Sequence, residues 1–190
     1  MSKLFIDTET NGLPITKNYS YYNPKNTKYY DKSRIIDIAY IIYDENNVKV
    51  KEVTSLIKPD GFLIENTDIH GITFENAMND GLNIKDILQE FYIDLCEYNV
   101  TTIISHNINF DINIILSECY RLKFNDLINT ILKINKECTM NIGKNYMKSN
   151  KNPKLIVLYE FLFHKEIIQE HRALSDTKIC LECYFKMTNV

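Results

Sequence analysis

Tryptophan is absent from the 190 residues, and glycine (5) and proline (4) are scarce. So few chain-breakers exclude a collagenous or linker-rich chain and leave room for long helices and strands. A disulfide framework is lacking as well. The cysteines are odd in number and irregularly spaced, and the close pair Cys180 and Cys183 has no second pair with which to build a zinc site. All five are expected to be free thiols in a reducing compartment. No apolar run approaches the roughly 18 residues of a membrane span. Met1-Ser2-Lys3 leads at once into the short apolar run Leu4 to Ile6, so neither a signal peptide nor a membrane segment is expected. These absences point to an intracellular, cytoplasmic protein. A surplus of positive charge is missing too. The net charge of −3 argues against a broad electrostatic grip on duplex DNA and leaves only a local basic patch to guide a single-strand end.

What is present suffices for a core. With 45% hydrophobic and 25% charged residues, the chain is expected to form one compact domain over 1–190. Its richness in isoleucine, asparagine, lysine and tyrosine is what AT-rich coding DNA would produce, so asparagine-rich stretches carry little functional weight.

Ser2 to Ile6 reads as a short buried strand, Arg34 to Tyr43 as a longer β-branched and aromatic one, and Lys51 to Lys58 as a third that ends in the turn Pro59-Asp60-Gly61. Three strands opening the chain suggest an antiparallel meander. The period then shifts towards 3.6. Asn83 is a plausible N-cap ahead of Ile84, Ile87, Leu88, Phe91 and Leu95. Thr101 to Ser105 reads as a short central strand and Asp111 to Leu122 as an amphipathic helix. Lys154 to Phe163 and Ala173 to Met187 read as two more helices. Strands first, then a strand framed by helices, predict an α/β or α+β domain of three layers. Lys17 to Lys32 lacks a period and is expected to be an inserted loop; its tyrosines suit either a stacking groove or a plain surface loop. Gly143 to Lys154 carries Lys144, Lys148, Lys151 and Lys154 and no acid, and Pro153 breaks the chain before the next helix. That lysine run is either a solvated face or a guide along an incoming strand.

Asp7 and Glu9 stand two apart where the first strand runs out. A strand's period of two puts both carboxylates on one face, roughly 7 Å apart along the chain, as a platform for a hard cation. The pair alone is weak, since about 0.8 such Asp-x-Glu pairs arise by chance at this composition. Its setting raises the signal: Phe5-Ile6-Asp7-Thr8-Glu9-Thr10-Asn11-Gly12-Leu13-Pro14 delivers two acids from an apolar strand into a glycine-proline turn. Strand exits are where open α/β sheets place their sites. Two further runs carry chemistry, Ile103-Ile104-Ser105-His106-Asn107-Ile108-Asn109-Phe110-Asp111 and His171-Arg172-Ala173-Leu174-Ser175-Asp176. Both contain a histidine five residues before an aspartate. Spacing alone does not choose between His106 and His171 as a base.

In this order the three runs resemble the motifs of the DEDDh (DnaQ-like) 3′-to-5′ exonuclease superfamily, which includes the proofreading epsilon subunit of bacterial DNA polymerase III, RNase T and oligoribonuclease. Arg34-Ile35-Ile36-Asp37-Ile38-Ala39, Ile57-Lys58-Pro59, Ile69-His70-Gly71-Ile72-Thr73 and Cys138-Thr139-Met140 resemble lesser landmarks of the same family, so the likeness runs along nearly the whole chain. It implies a ribonuclease H-like fold, a central mixed five-stranded sheet flanked by helices. It implies Asp7, Glu9, Asp111 and Asp176 as metal ligands and His171 as general base. The sister class has a tyrosine where Arg172 stands, which assigns the chain to the histidine type.

Four carboxylates crowded together repel one another unless about +4 of metal charge compensates them, so the constellation implies its cofactor. Oxygen ligation favours two divalent ions, Mg²⁺ or Mn²⁺. For the substrate, the resemblance implies contacts from Thr8, Thr10, Leu13, Glu65, His70, His106, Asn107 and Phe110, with His106 reading as an orienting hydrogen-bonder at the strand exit. A base stacked on an aromatic ring gains roughly 1–3 kcal/mol without having its identity read. The implied activity is release of 5′-mononucleotides from single-stranded DNA or RNA 3′ ends, with DNA favoured because the turn at His70 and the marker at Cys138 are nearer to the polymerase-associated members. An exoribonuclease, or a binding module that kept the fold, are the alternatives. A homodimer partner and a polymerase both stay open as companions.

Overall fold

The computed structural model describes residues 1–189. In chain order its elements are β1 (Ser2–Thr10), β2 (Thr16–Lys17), β3 (Ser20–Tyr21), a 3₁₀ turn (Thr27–Tyr30), β4 (Ile35–Tyr43) and β5 (Lys49–Leu56). The helices α1 (Thr67–His70), α2 (Phe74–Asp80) and α3 (Ile84–Glu97) follow, then β6 (Val100–Ser105), α4 (Ile108–Leu122), α5 (Asn125–Lys133) and β7 (Asn135–Cys138). The chain closes with α6 (Thr139–Tyr146), α7 (Leu155–Phe163) and α8 (Ala173–Thr188). Five strands form one mixed sheet in the order β5-β4-β1-β6-β7. The opening meander is antiparallel, β1 to β4 to β5, and β6 and β7 then add in parallel. The architecture is the ribonuclease H-like one that the motifs imply.

The burial pattern explains the layers. In β1, Leu4 and Ile6 join the cluster formed with α3, α4 and α5, whereas Phe5 joins the one formed with α7 and α8. Successive side chains of a strand point to opposite faces, so the sheet is filled from both sides. β4 is buried at every position but Tyr43, the continuous apolar run of a strand covered on both faces. β5, at the sheet edge, alternates exposed and half-buried residues, including Lys49, Lys51 and Glu52. Asn83 caps α3 as the spacing predicts, its side chain accepting from the Lys85 amide at 2.8 Å.

Several boundaries differ from the sequence reading. β1 extends to Thr10, because β4 pairs with it as far as that residue, so Asp7 and Glu9 lie within the strand. α4 begins three residues before Asp111, after Asn107 in a left-handed conformation (φ 73°). The stretch expected to be a loop at 17–32 is ordered as the β2–β3 ribbon and the 3₁₀ turn, with Tyr30 fully buried in the main core. The region after Gly143 starts inside α6. β7 and α5 escape the sequence reading altogether. All five cysteines are unpaired, four of them buried and Cys96 exposed. Among the described residues, no helix is long and apolar enough to cross a membrane.

Candidate active site

The pairing of β1 with β6 stops at Phe5 and Ile104, whereas that with β4 continues to Thr10. Beyond Phe5 the edge of β1 facing β6 is therefore free, and the chain leaving Ser105 opens a crevice beside it. Asp7 and Glu9 share the α8-facing side of the strand with Phe5. Thr8 points the other way and meets Asp111 from the first turn of α4: the Thr8 amide and hydroxyl both donate to Asp111 Oδ1, at 3.0 and 2.8 Å, and the Ser105 hydroxyl donates to Oδ2. From the opposite face α8 brings Asp176 in its first turn, with His171 just before it in a left-handed conformation (φ 49°). Ligand atoms of Glu9, His171 and Asp176 all lie within 4.8 Å of one another.

This crowding is electrostatically expensive. Burial, then the carboxylates of Asp111, Asp176, Glu9 and Asp37, push Asp7 well above the ordinary carboxylate range. Burial, then the carboxylates of Asp176, Asp37 and Asp111, push Glu9 up to about 8, against the pull of Arg172. Asp111 rises to about 6 by burial, against the pull of the Ser105 and Thr8 hydrogen bonds. Asp176 is raised by burial, with Gln169 and His171 pulling it back. Its Oδ2 accepts from Gln169 Nε2 at 2.6 Å, whereas Oδ1 is buried without a partner. Two half-buried acids, Asp7 and Glu9, beside the buried Asp111 and Asp176, an orphaned carboxylate oxygen and a donor set of carboxylates with one imidazole beside it fit hard divalent cations.

Two clefts flank β1. One, of about 610 Å³, is lined by Asp7, His106, Asn107, Gln169, His171 and Asp176 among others. The second, of about 470 Å³, is lined by Thr8, Glu9, Thr10, Leu13, His70 and Phe110. Leu13 is largely exposed and Phe110 half-buried, so both present apolar surface there. The Thr10 hydroxyl donates to Gly12 O at 2.8 Å. At Gly12 a Cβ would fall 2.9 Å from Lys32 O, which explains glycine in that turn.

The remaining candidates are occupied within the protein. His70 is buried, and its Nε2 lies 3.0 Å from Glu65 O, which can only accept; that ring nitrogen therefore carries the proton, and Nδ1 accepts from the Ile72 amide at 3.1 Å. Glu65 contributes backbone, its amide donating to Asn11 Oδ1 at 2.5 Å, while its side chain is exposed. His106 Nε2 likewise faces Pro153 O at 3.0 Å and Nδ1 meets the Thr139 hydroxyl at 3.0 Å. Burial pulls its pKa down, so the ring is neutral and fully engaged. His171 is thus the histidine brought to the acids.

Three contributors have no place in the sequence reading of the site. Asp37, opposite Glu9 in the β1–β4 ladder, is fully buried; its Oδ2 accepts from Arg172 Nε at 2.8 Å and from the Ala173 amide at 3.3 Å, tying the start of α8 to the sheet. Its signal was a lone acid inside the apolar run of β4. Ser105 lies inside the Ile103–Asp111 run, where nothing in the local pattern marks it as a partner of Asp111. Gln169 lies in a stretch without periodicity and gave no signal.

Comparisons with known proteins bear on the family and the fold. Residues 4–184 match the sequence profile of a family described as exonuclease. The chain is 31% identical over 121 residues to the PolC-type DNA polymerase III of Caldanaerobacter subterraneus subsp. tengcongensis, a match that covers 64% of the chain and 8% of the polymerase. Its fold is similar to that of Escherichia coli Exonuclease I solved in complex with a dT13 oligonucleotide, with a TM-score of 0.69 and 20% identity over 97% of this chain and 41% of that one. Exonuclease I from Methylocaldum szegediense is similar at a TM-score of 0.68 and 16% identity, over 99% and 40% of the two chains. The chain thus spans less than half the length of each of these relatives.

Proposed function

From the premise that the chain belongs to the exonuclease family, of the DEDDh 3′-to-5′ type, we propose that it releases 5′-mononucleotides from the 3′ end of single-stranded nucleic acid, with DNA the favoured substrate. The observation that carries this reading is the convergence of Glu9, His171 and Asp176 within 4.8 Å, beside the raised Asp7 and across β1 from Asp111. Asp7, Glu9, Asp111 and Asp176 are the residues that would hold two Mg²⁺ or Mn²⁺ ions. Such ions, when bound, neutralise the acids and stabilise charge on the phosphate as it is attacked.

The chain's own groups do the rest. His171 takes the proton of the attacking water on a ring nitrogen, the water oxygen bonds to phosphorus, and the 3′-oxygen of the next nucleotide leaves. Gln169 and Asp37 hold the two sides of the loop that carries His171. The terminal nucleoside enters the cleft of Leu13 and Phe110, where apolar contact and stacking grip any base, and sequence preference is accordingly low. Thr8 serves by holding Asp111. The Exonuclease I complex with a dT13 oligonucleotide supports a DNA strand as ligand of this fold, and the likeness to a PolC-type polymerase supports a polymerase as companion.

The test is a 5′-labelled oligonucleotide in Mg²⁺, with matched DNA and RNA strands side by side. A ladder that shortens from the 3′ end, stops in EDTA and is lost in Asp7→Asn is the expected result. Internal cuts, or full activity of Asp7→Asn in Mg²⁺, would overturn the reading.

A further inference from the structure

The cleft that holds Asp7, His171 and Asp176 does not end at the acids. Its wall continues through Met140 to Asn152, Pro153, Lys154, Leu155 and Ile156, the elbow between α6 and α7. Charge is distributed unevenly along this part of the chain. Between Glu137 and Glu160 there is no aspartate or glutamate, although the overall composition would put about three there. Lys144, Lys148, Lys151 and Lys154 fall in that interval. Lys148, Lys151 and Lys154 are exposed, Lys144 is half-buried, and none of the four makes an ion pair among the described residues. In a chain of net charge −3 this is a basic strip, and one of its lysines, Lys154, lines the cleft that holds the acids.

The strip is also held in place. Gly143 lets α6 close on α7, since a Cβ there would lie 2.7 Å from Leu158 Cδ1. His106 donates to Pro153 O at 3.0 Å and so fastens the elbow to the exit of β6. Ser149 bonds the Lys151 backbone in both directions, its amide at 3.1 Å and its carbonyl at 2.9 Å. Fixed ammonium groups next to an open cleft attract a polyanion, and unpaired lysines keep their charge available for it.

We infer that the α6–α7 elbow, with Lys148, Lys151 and Lys154, is a phosphate track for the nucleotides upstream of the scissile bond of a single strand. The inference rests on the exonuclease reading and deepens it: the terminal nucleoside occupies the Leu13–Phe110 cleft on one side of β1, and the strand leaves across the elbow on the other. The track contacts phosphate and no base edge. It therefore serves DNA and RNA alike, and it makes longer strands better substrates than very short ones.

The experiment compares the wild-type chain with Lys148→Gln/Lys151→Gln/Lys154→Gln and with a control, Lys58→Gln/Lys85→Gln/Lys133→Gln, whose lysines are exposed elsewhere. Binding of a fluorescein-labelled oligothymidylate in EDTA is followed by anisotropy across a range of KCl. On single strands each phosphate contact contributes about 0.7 to the slope of log affinity against log salt. The elbow variant is expected to lose about 2 from that slope and to bind severalfold more weakly at moderate salt, the control variant to match wild type. Hydrolysis of the p-nitrophenyl ester of thymidine 5′-phosphate, which has no upstream strand, is expected to be equal in all three. An unchanged slope in the elbow variant, with oligonucleotides still shortened by the wild type, overturns the track and leaves the exonuclease reading standing. A lysine-dependent slope in a chain that releases no nucleotide leaves the elbow as a strand-binding surface but removes the exonuclease reading and, with it, the assignment of the track to nucleotides upstream of a scissile bond.

Discussion

Thr8 gives both its amide and its hydroxyl to one oxygen of Asp111, at 3.0 and 2.8 Å, across 103 residues of sequence. Ser105 fills the other oxygen. The acid from α4 is thereby locked to the strand that carries Asp7 and Glu9, before any cation is considered. Hydrogen bonds to a buried charged group contribute roughly 1.5–3 kcal/mol each. Thr8→Val keeps the amide bond but removes the hydroxyl, so it is expected to lose about 1–3 kcal/mol in urea unfolding and about tenfold in strand hydrolysis. Thr8→Ser is expected to stay near wild type in both. A silent Thr8→Val would show that Asp111 needs no such lock.

Asp37 does for α8 what Thr8 does for α4. Its carboxylate takes both the Arg172 side chain and the Ala173 amide, an orphan donor at the helix start. Asp37→Ala frees that end, which carries His171 and Asp176. Because Arg172 remains partly solvated, the stability loss is expected to be modest, about 1–2 kcal/mol. The kinetic effect is expected to be larger, a drop of at least tenfold in kcat with KM for oligonucleotides nearly unchanged. An equal change in KM would instead place Asp37 in strand binding.

The parts of the site legible in the sequence were those set by local period and order. Asp7 and Glu9 share a face because a strand repeats every two residues, and the burial of Phe5 on that face agrees. Asp37 was hidden because its partner Arg172 is 135 residues away and only tertiary pairing makes a buried acid in β4 intelligible. β7 was hidden for a related reason: Asn-Lys-Glu-Cys carries no strand pattern, and its backbone is extended because β6 offers it a ladder. His106 and His171 were twins in spacing. Pro153 O and Thr139, which occupy the first, distinguish them.

The raised acids make stability depend on pH in a defined direction. Glu9 has an ordinary value of 4.5 and stands at about 8 in the folded chain. Between those values the folded state holds a proton that the unfolded state has released, so stability falls as pH rises through the window. Asp111, raised from 3.8 to about 6, adds the same sign at lower pH. In EDTA, Tm is expected to decline from about pH 5 to about pH 8. A bound cation favours the ionised acids, so the rise in Tm on adding Mg²⁺ should be greater at pH 8 than at pH 6. Asp7→Asn removes one of the mutually repelling groups and is expected to raise Tm in EDTA while abolishing hydrolysis. A Tm in EDTA that climbs with pH would contradict the assigned directions.

Residues 17–32, expected to be a loop, are instead joined to the core. Tyr30 is fully buried, its hydroxyl donates to Tyr22 O, and Tyr22 stacks on Tyr29 with ring centroids 3.8 Å apart. The Ile15 amide donates to Tyr29 O at 2.8 Å, and Arg121 from α4 reaches Thr27 O and Asp31, each at 2.7 Å. Tyr19, by contrast, is fully exposed at the ribbon turn. Removing a buried aromatic ring costs about 3–5 kcal/mol, and leaving a carbonyl without its donor about 1–3 kcal/mol. Tyr30→Ala is therefore expected to lose about 3–5 kcal/mol in urea unfolding, Tyr30→Phe to fall between it and wild type, and Tyr19→Ala to be silent. A detached loop would leave all three silent. Because α4 also carries Asp111 and Phe110, loosening the insertion should reach the candidate active site: Tyr30→Phe, still folded, is expected to raise KM for oligonucleotides through Phe110, whose ring centroid lies 6.5 Å from that of Tyr21.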